Sequence, residues 1–337
     1  MRNEQVPDRN IAMELVRTTE AAALAAARWV GRGDKNSADG AAVAAMRLMM
    51  DTVDMDGLIV IGEGVKDEAP MLYNGERVGN GSGPQMDVAV DPLEGTRLTA
   101  EGRPGAVSVI AAAPRGALFN PLDLFYMEKI AVGPEARGHI DLSAPIAWNI
   151  QQVARAKGIR IEEVTVIVLD RDRNTGVADE IRAAGARIRF ITDGDQPAAV
   201  SAALDGTGVD MLLGIGGSTE GVVSAVALKC MEGDFQGRLW ARDADQIAYA
   251  AEHGLSLTAI LTIDDLVKSD DVFFAASGVT TGDLLKGVEY VAGGARSESL
   301  VMRSRSGTIR RITTEHHWRK LQEITGERYT DGDATNK

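Results

Sequence analysis

Apolar positions follow two successive patterns along the chain. Residues 11–30 carry Ala, Leu and Met at helical spacing, with Asn10 placed to cap the helix and Gly31 to stop it. A second helix reads from about residue 39 to 53, which puts Asp39 at its first turn or cap. Short continuous runs then predict buried strands at 58–61, 86–90 and 107–110, and a mixed stretch follows over 125–130. Polar residues 133–143 form a candidate boundary. Beyond residue 162, strands at 164–169, 187–192 and 209–213 alternate with helices over 177–184, from 197, and up to Cys230. Three such units in succession predict a parallel sheet with helices on its faces. Helices near 243–252 and 257–267, a strand at 273–278 and a β-rich stretch over 299–312 complete the pattern.

The strand ends are where the chemistry gathers. Strand 86–90 is expected to stop at Asp91-Pro92, because proline donates nothing to a ladder and pushes the preceding residue to extended geometry. Asp91 and Glu94 then project from a rigid strand end, with Gly95 letting the backbone come close and Thr96 adding a hydroxyl. Strand 58–61 repeats the logic, ending in Gly62-Glu63-Gly64 with Asp67 four residues past Glu63. Hard oxygen donors converging in this way suit Mg²⁺ or Mn²⁺ better than zinc. Later strands end in Asp170-Arg171-Asp172-Arg173, in Asp193-Gly194-Asp195 and in the turn from Gly214 to Glu220. Together, Asp39, Glu63, Asp91, Glu94 and Glu220 could hold two or more hard cations, which would bridge phosphate oxygens and lower the pKa of an attacking water. Arg171 and Arg173 offer forked donors for a second phosphate.

Composition narrows the alternatives. At 337 residues, against about 150 per domain, two α/β domains are expected. A net charge of -13 argues against nucleic acid or an anionic membrane as partner. One cysteine, Cys230, cannot form an internal disulfide and fits a reducing cytoplasm. The polar N-terminus lacks a signal-peptide pattern, and no apolar run reaches the length of a membrane span. The four histidines show no ligand-type pairing, and no Gly-x-Ser-x-Gly elbow appears. The glycines at 214–217 lack the third glycine of a dinucleotide fingerprint, since Thr219 stands there, but they open a helix whose free N–H groups suit an anion.

Asp91-Pro92-Leu93-Glu94-Gly95-Thr96 resembles the signature of the lithium-sensitive, metal-dependent sugar and inositol phosphatases. More narrowly, Gly31-Arg32-Gly33-Asp34-Lys35-Asn36, Ala38-Asp39-Gly40, Gly62-Glu63-Gly64, Asp67-Glu68-Ala69-Pro70, Asp193-Gly194-Asp195, Glu220-Gly221-Val222 and Gly282-Asp283-Leu284 resemble the bacterial, GlpX-type class II fructose-1,6-bisphosphatases. The resemblance implies a two-domain layered α/β sandwich of the sugar-phosphatase type. It also implies dependence on Mn²⁺ or Mg²⁺, removal of the 1-phosphate of fructose 1,6-bisphosphate in gluconeogenesis, and a homo-oligomer, dimer or tetramer. A metal-binding domain over 1–145, a second domain over 146–325 and a disordered tail over 326–337 are expected, with the closing strands free to return to the first domain.

By the same resemblance, Asp39, Glu63, Asp91, Glu94 and Glu220 are the metal ligands. Thr96, Asp67 and Lys35 orient and activate the attacking water. Glu94, Gly95, Thr96, Tyr126, Arg171, Asp172, Arg173, Asp193, Gly194, Asp195 and Gly217 contact the substrate. Three positions depart from the family pattern. Val65 stands where an acid is usual, and Asp172 and Asn174 alter the usual basic-Pro-Arg-His stretch, adding a negative charge and removing an imidazole. Sedoheptulose 1,7-bisphosphate, another sugar or inositol phosphate, or a non-catalytic phosphosugar-binding role remain the alternatives.

Overall fold

The computed structural model describes residues 9–64 and 71–325, so Val65 and Asp67 lie outside the described residues. In chain order the elements are α1 (Ala12–Ala27), α2 (Lys35–Met50), β1 (Asp56–Ile61), β2 (Arg77–Val78), β3 (Gln85–Glu94), α3 (Thr96–Glu101), β4 (Val107–Pro114) and β5 (Tyr126–Val132). There follow α4 (Ile146–Lys157), β6 (Thr165–Leu169), α5 (Thr175–Ala183), β7 (Arg187–Ile191), α6 (Asp195–Ser201), β8 (Met211–Gly217), α7 (Ser218–Cys230) and β9 (Asp234–Trp240). The last are α8 (Ala244–Glu252), β10 (Leu261–Thr262), α9 (Ile263–Leu266), β11 (Phe273–Gly278), β12 (Glu289–Val291), β13 (Gly294–Arg303), β14 (Thr308–His317) and α10 (Trp318–Thr325). No helix among the described residues is long and apolar enough to cross a membrane.

The strands form two mixed sheets. The first runs β12-β13-β11-β4-β3-β1-β2 with β14 paired to β13, and the second runs β10-β9-β5-β8-β6-β7. The repeated strand–helix units give parallel pairing of β6 with β7 and β8, while β5, β9 and β10 join antiparallel. Sheet membership does not follow chain order. β5, although it precedes residue 145, belongs to the second sheet, and β11 to β14 return to the first, with β11 inserted between β4 and β13.

Side-chain alternation on the strands explains the layers. In β4, Ile110 and Ala112 pack with Leu15, Ala22, Ala26 and Met46 of α1 and α2. Val109, Ala111 and Ala113 of the same strand face the other way, into a core shared with Val222, Val226 and Leu228 of α7 and with Met127, Leu212 and Phe235 of the second sheet. On the far face of that sheet, Val166 and Val168 meet Ile150 and Val153 of α4 and Ile181 of α5. The order is helices, sheet, helices, sheet, helices. A helix held between two sheets has little face left for water, so α7 is buried all round from Gly221 to Leu228, with Glu220 and Lys229 only near its ends.

Four expectations are corrected. The second helix begins before Asp39, because Asp34 caps it by accepting the Ser37 N–H at 2.9 Å; Asp39 therefore lies inside α2. β3 does not stop at Asp91 but continues through Pro92 to Glu94. β8 starts at Met211 and runs on through the glycines to Gly217. Residues 257–267 make only β10 and the four-residue α9, because Ser256 turns the chain by accepting from the Thr258 and Ala259 N–H groups and β10 pairs with β9.

Candidate active site

Asp91 and Glu94 are three residues apart, and in a regular strand such residues point to opposite faces. Here the β3–β4 register shifts between them: Asp91 faces Val109 and Glu94 faces Val107, so one extra residue is accommodated on β3. This bulge turns both carboxylates to one side, and Pro92 is tolerated within it because the ladder is already interrupted there. Gly95, at φ 87, then swings the chain into α3. The Thr96 hydroxyl donates to Leu93 O at 3.0 Å.

Asp39 of α2, Glu63 just past β1, Asp91 and Glu94 of β3 and Glu220 of α7 all line one cavity of about 460 Å³, together with Lys35, Thr96, Arg97, Asp193 and Gln196. The acids raise one another's pKa. Burial and Asp39 push Glu63 up to about 7. Burial, then Glu63, Glu220 and Asp39, hold Asp91 well above the usual carboxylate range. Glu94 is raised by burial and by Asp91, Asp195 and Glu220. Burial and Asp195 raise Glu220, against a downward pull from Lys129. Burial raises Asp39, and burial also raises Asp193, opposed by Arg171.

A divalent cation fits this set. Glu94 Oε2 is buried with no hydrogen-bond partner among the described residues, although its residue is only 6% exposed. Ligand oxygens of Glu94, Asp195 and Glu220 lie within 4.8 Å of one another. The structure thus brings Asp195, expected at the substrate, into the carboxylate group as well.

The remaining residues read from the sequence sit at the strand ends of the second sheet. Tyr126 pairs with Gly217 across β5 and β8. The Arg173 guanidinium stacks 4.6 Å from the Tyr126 ring centroid and donates to Ile215 O, while Tyr126 meets Trp240 edge-on at 5.8 Å. Arg171 is close enough to Asp193 to oppose the rise of its pKa. Asp172 is exposed. Tyr126, Arg171 and Arg173 do not line the carboxylate cavity.

Three residues at the site escaped the sequence reading. Gln196 donates to Asp91 Oδ2 at 2.9 Å and so joins the two halves of the chain. Arg97 lines the cavity directly after Thr96. Lys129 is buried and bonded to Asp195; a lysine directly before the apolar run Ile130-Ala131-Val132 was the available signal for it.

The family model described as bacterial fructose-1,6-bisphosphatase, glpX-encoded, matches residues 9–316. The chain belongs to this family. It is 46% identical over 322 residues to fructose-1,6-bisphosphatase 1 class 2 of Escherichia coli strain K12, covering 92% of this chain and 96% of that protein. Fructose-1,6-bisphosphatases class 2 of Escherichia coli O6:H1 and of Shigella flexneri match to the same extent. Against the glpX-family pattern, Asn174 now has a structural account. Its amide donates to Leu169 O and Ile215 O and accepts from the Ile215 N–H, pinning the end of β6 to β8.

Proposed function

We propose that the chain hydrolyses the 1-phosphate of fructose 1,6-bisphosphate to fructose 6-phosphate and phosphate, a gluconeogenic step, with Mn²⁺ or Mg²⁺ held by Asp39, Glu63, Asp91, Glu94 and Glu220. The observation that carries this reading is the gathering of five carboxylates from four separate elements in one cavity. Their mutual repulsion is relieved only by protons or by cations. When bound, the cation supplies charge neutralisation at the phosphate and acidifies the attacking water.

The chain's own groups would complete the chemistry. Because the Thr96 proton is committed to Leu93 O, its oxygen is left to accept a hydrogen bond from the attacking water and so to orient it. Asp67 and Lys35 are assigned to the same step, with the Lys35 ammonium offering positive charge to the phosphate. Gly95, Asp193, Gly194 and Asp195 would take the sugar hydroxyls. Tyr126, Arg171 and Arg173, beside Asp172 and Gly217, would hold the second phosphate.

Phosphate release from fructose 1,6-bisphosphate, with Mn²⁺, with Mg²⁺ and with chelator, tests this in the wild type and in Glu220→Gln. Cation-dependent release that the substitution lowers at least ~100-fold is expected, since replacing a ligand should exceed the 10–100-fold effects typical of its outer partners. Cation-dependent release from sedoheptulose 1,7-bisphosphate or an inositol phosphate alone would reassign the substrate. Binding without release would make the chain a phosphosugar-binding protein.

A further inference from the structure

Lys129 lies in the middle of β5 and is 2% exposed. Its ammonium is bonded wholly within the protein: Nζ donates to Asp195 Oδ2 at 2.5 Å and to the Gly217 carbonyl at 2.7 Å. Burying an ammonium costs several kcal/mol even when paired, and an apolar residue of like volume is often as stable. Stability alone therefore gives no reason for lysine at a position whose strand neighbours, Ile130 and Ala131, are buried and apolar.

The two acceptors are informative. Asp195 opens α6, and Gly217 is the residue before α7, the helix that carries Glu220. One buried cation thus ties together the starting points of the two segments that deliver carboxylates from the second sheet. Gly216 makes the arrangement possible: a Cβ built there would collide with Asp195 Oδ2 and press on Lys129 Cε and Nζ.

We propose that Lys129 is a positioning residue for the reaction. Acting through Asp195 and the Gly217 carbonyl, it sets Asp195 and Glu220 opposite Glu94 at the spacing of one divalent ion. The inference rests on the metal-site reading given above and adds a partner to it. Position and charge predict opposite signs. A fixed ammonium repels a cation, so if charge were its whole effect, removing it would tighten metal binding; if it positions the carboxylates, removing it loosens metal binding.

The test is Mn²⁺ affinity of the chelator-stripped full chain, measured by calorimetry and by the electron paramagnetic resonance signal of free Mn²⁺. Lys129→Met is expected to weaken binding 10–100-fold, the size of effect seen for partners that orient metal ligands. Gly216→Ala, which keeps the ammonium but displaces Asp195, is expected to do the same. In a Lys129→Met/Asp195→Asn double variant the loss should fall short of the sum of the two single losses, because the bond to Asp195 is common to both changes and only the bond to Gly217 O is lost in addition. Unchanged or tighter binding in Lys129→Met, or additive losses in the double variant, overturns the proposal. If Lys129→Met does not fold, Gly216→Ala decides alone, and unchanged affinity there overturns it. Absence of Mn²⁺ binding to the wild type would instead refute the metal site itself.

Discussion

Gly217 shows how closely a single residue is tied to the site. A Cβ there would fall on the Glu220 carboxylate of the following helix. Gly217→Ala should therefore lower phosphate release at least ~10-fold through a displaced ligand, while the far-ultraviolet circular dichroism of the folded chain stays unchanged. Wild-type rates in that variant would show that Glu220 has room to move. Arg173 makes a different prediction. If it receives the second phosphate, Arg173→Glu raises KM for a bisphosphate much more than for a monophosphate, and equal losses on both would remove it from that role. Cys230 is buried, and burial pushes its thiol far up from its ordinary value. Iodoacetamide should accordingly label it slowly in the native chain and rapidly in urea, followed by mass spectrometry. At this scale Glu63, Asp91, Glu94 and Glu220 stood out because each follows an apolar run or opens a helix, whereas Asp39 was read as a helix cap and lies inside α2. Gln196 and Lys129 did not stand out: a sequence shows that a polar residue stands in a segment, but its partner in a distant element is known only once the sheets are assembled.

Among the elements, α7 does two things at once. It fills the space between the sheets with Val222, Val226 and Leu228, all buried, and its first turn presents Glu220. Leu228→Ala should destabilise the chain by about 2–5 kcal/mol, read from urea denaturation with an unchanged slope. A loss below ~1 kcal/mol would mean the neighbouring layers close over the gap. Elements whose period and punctuation agree, such as β1, β6, β7 and α7, were readable directly. The bulge in β3 was not, since Asp91-Pro92 signals an end to pairing, and only the β4 partner, through Val107 and Val109, shows that the strand resumes. The start of α2 was misplaced because two candidate caps, Asp34 and Asp39, lie five residues apart, and the Ser37 N–H chooses the first.

For the molecule as a whole, the crowding of acids links stability to pH and to cations. Glu63 titrates at about 7 rather than near 4.5. A carboxyl raised in the folded state favours folding only while it keeps its proton, so without cations stability is lost as pH rises from about 4.5 to about 7. For Glu63 alone the change is on the order of 3 kcal/mol. A bound cation favours the ionised form, so Mn²⁺ should raise Tm more at pH 8 than at pH 5 in calorimetry against a chelated control; the reverse order would contradict the crowding. The βα repeats foretold the parallel part of the second sheet, and the layered two-sheet arrangement followed from the family resemblance. The sheet order was not foreseeable, because the chain returns from β10 of the second sheet to place β11 between β4 and β13 of the first. That return has a consequence during synthesis. β4 leaves the ribosome with one edge open, and its neighbour β11 follows only roughly 160 residues later, on the order of 10–30 s at ordinary elongation rates. For that interval a nascent strand of Val, Ile and Ala stands exposed to other chains, so yield in a cell should depend on chaperone capacity and translation speed long before it depends on catalysis.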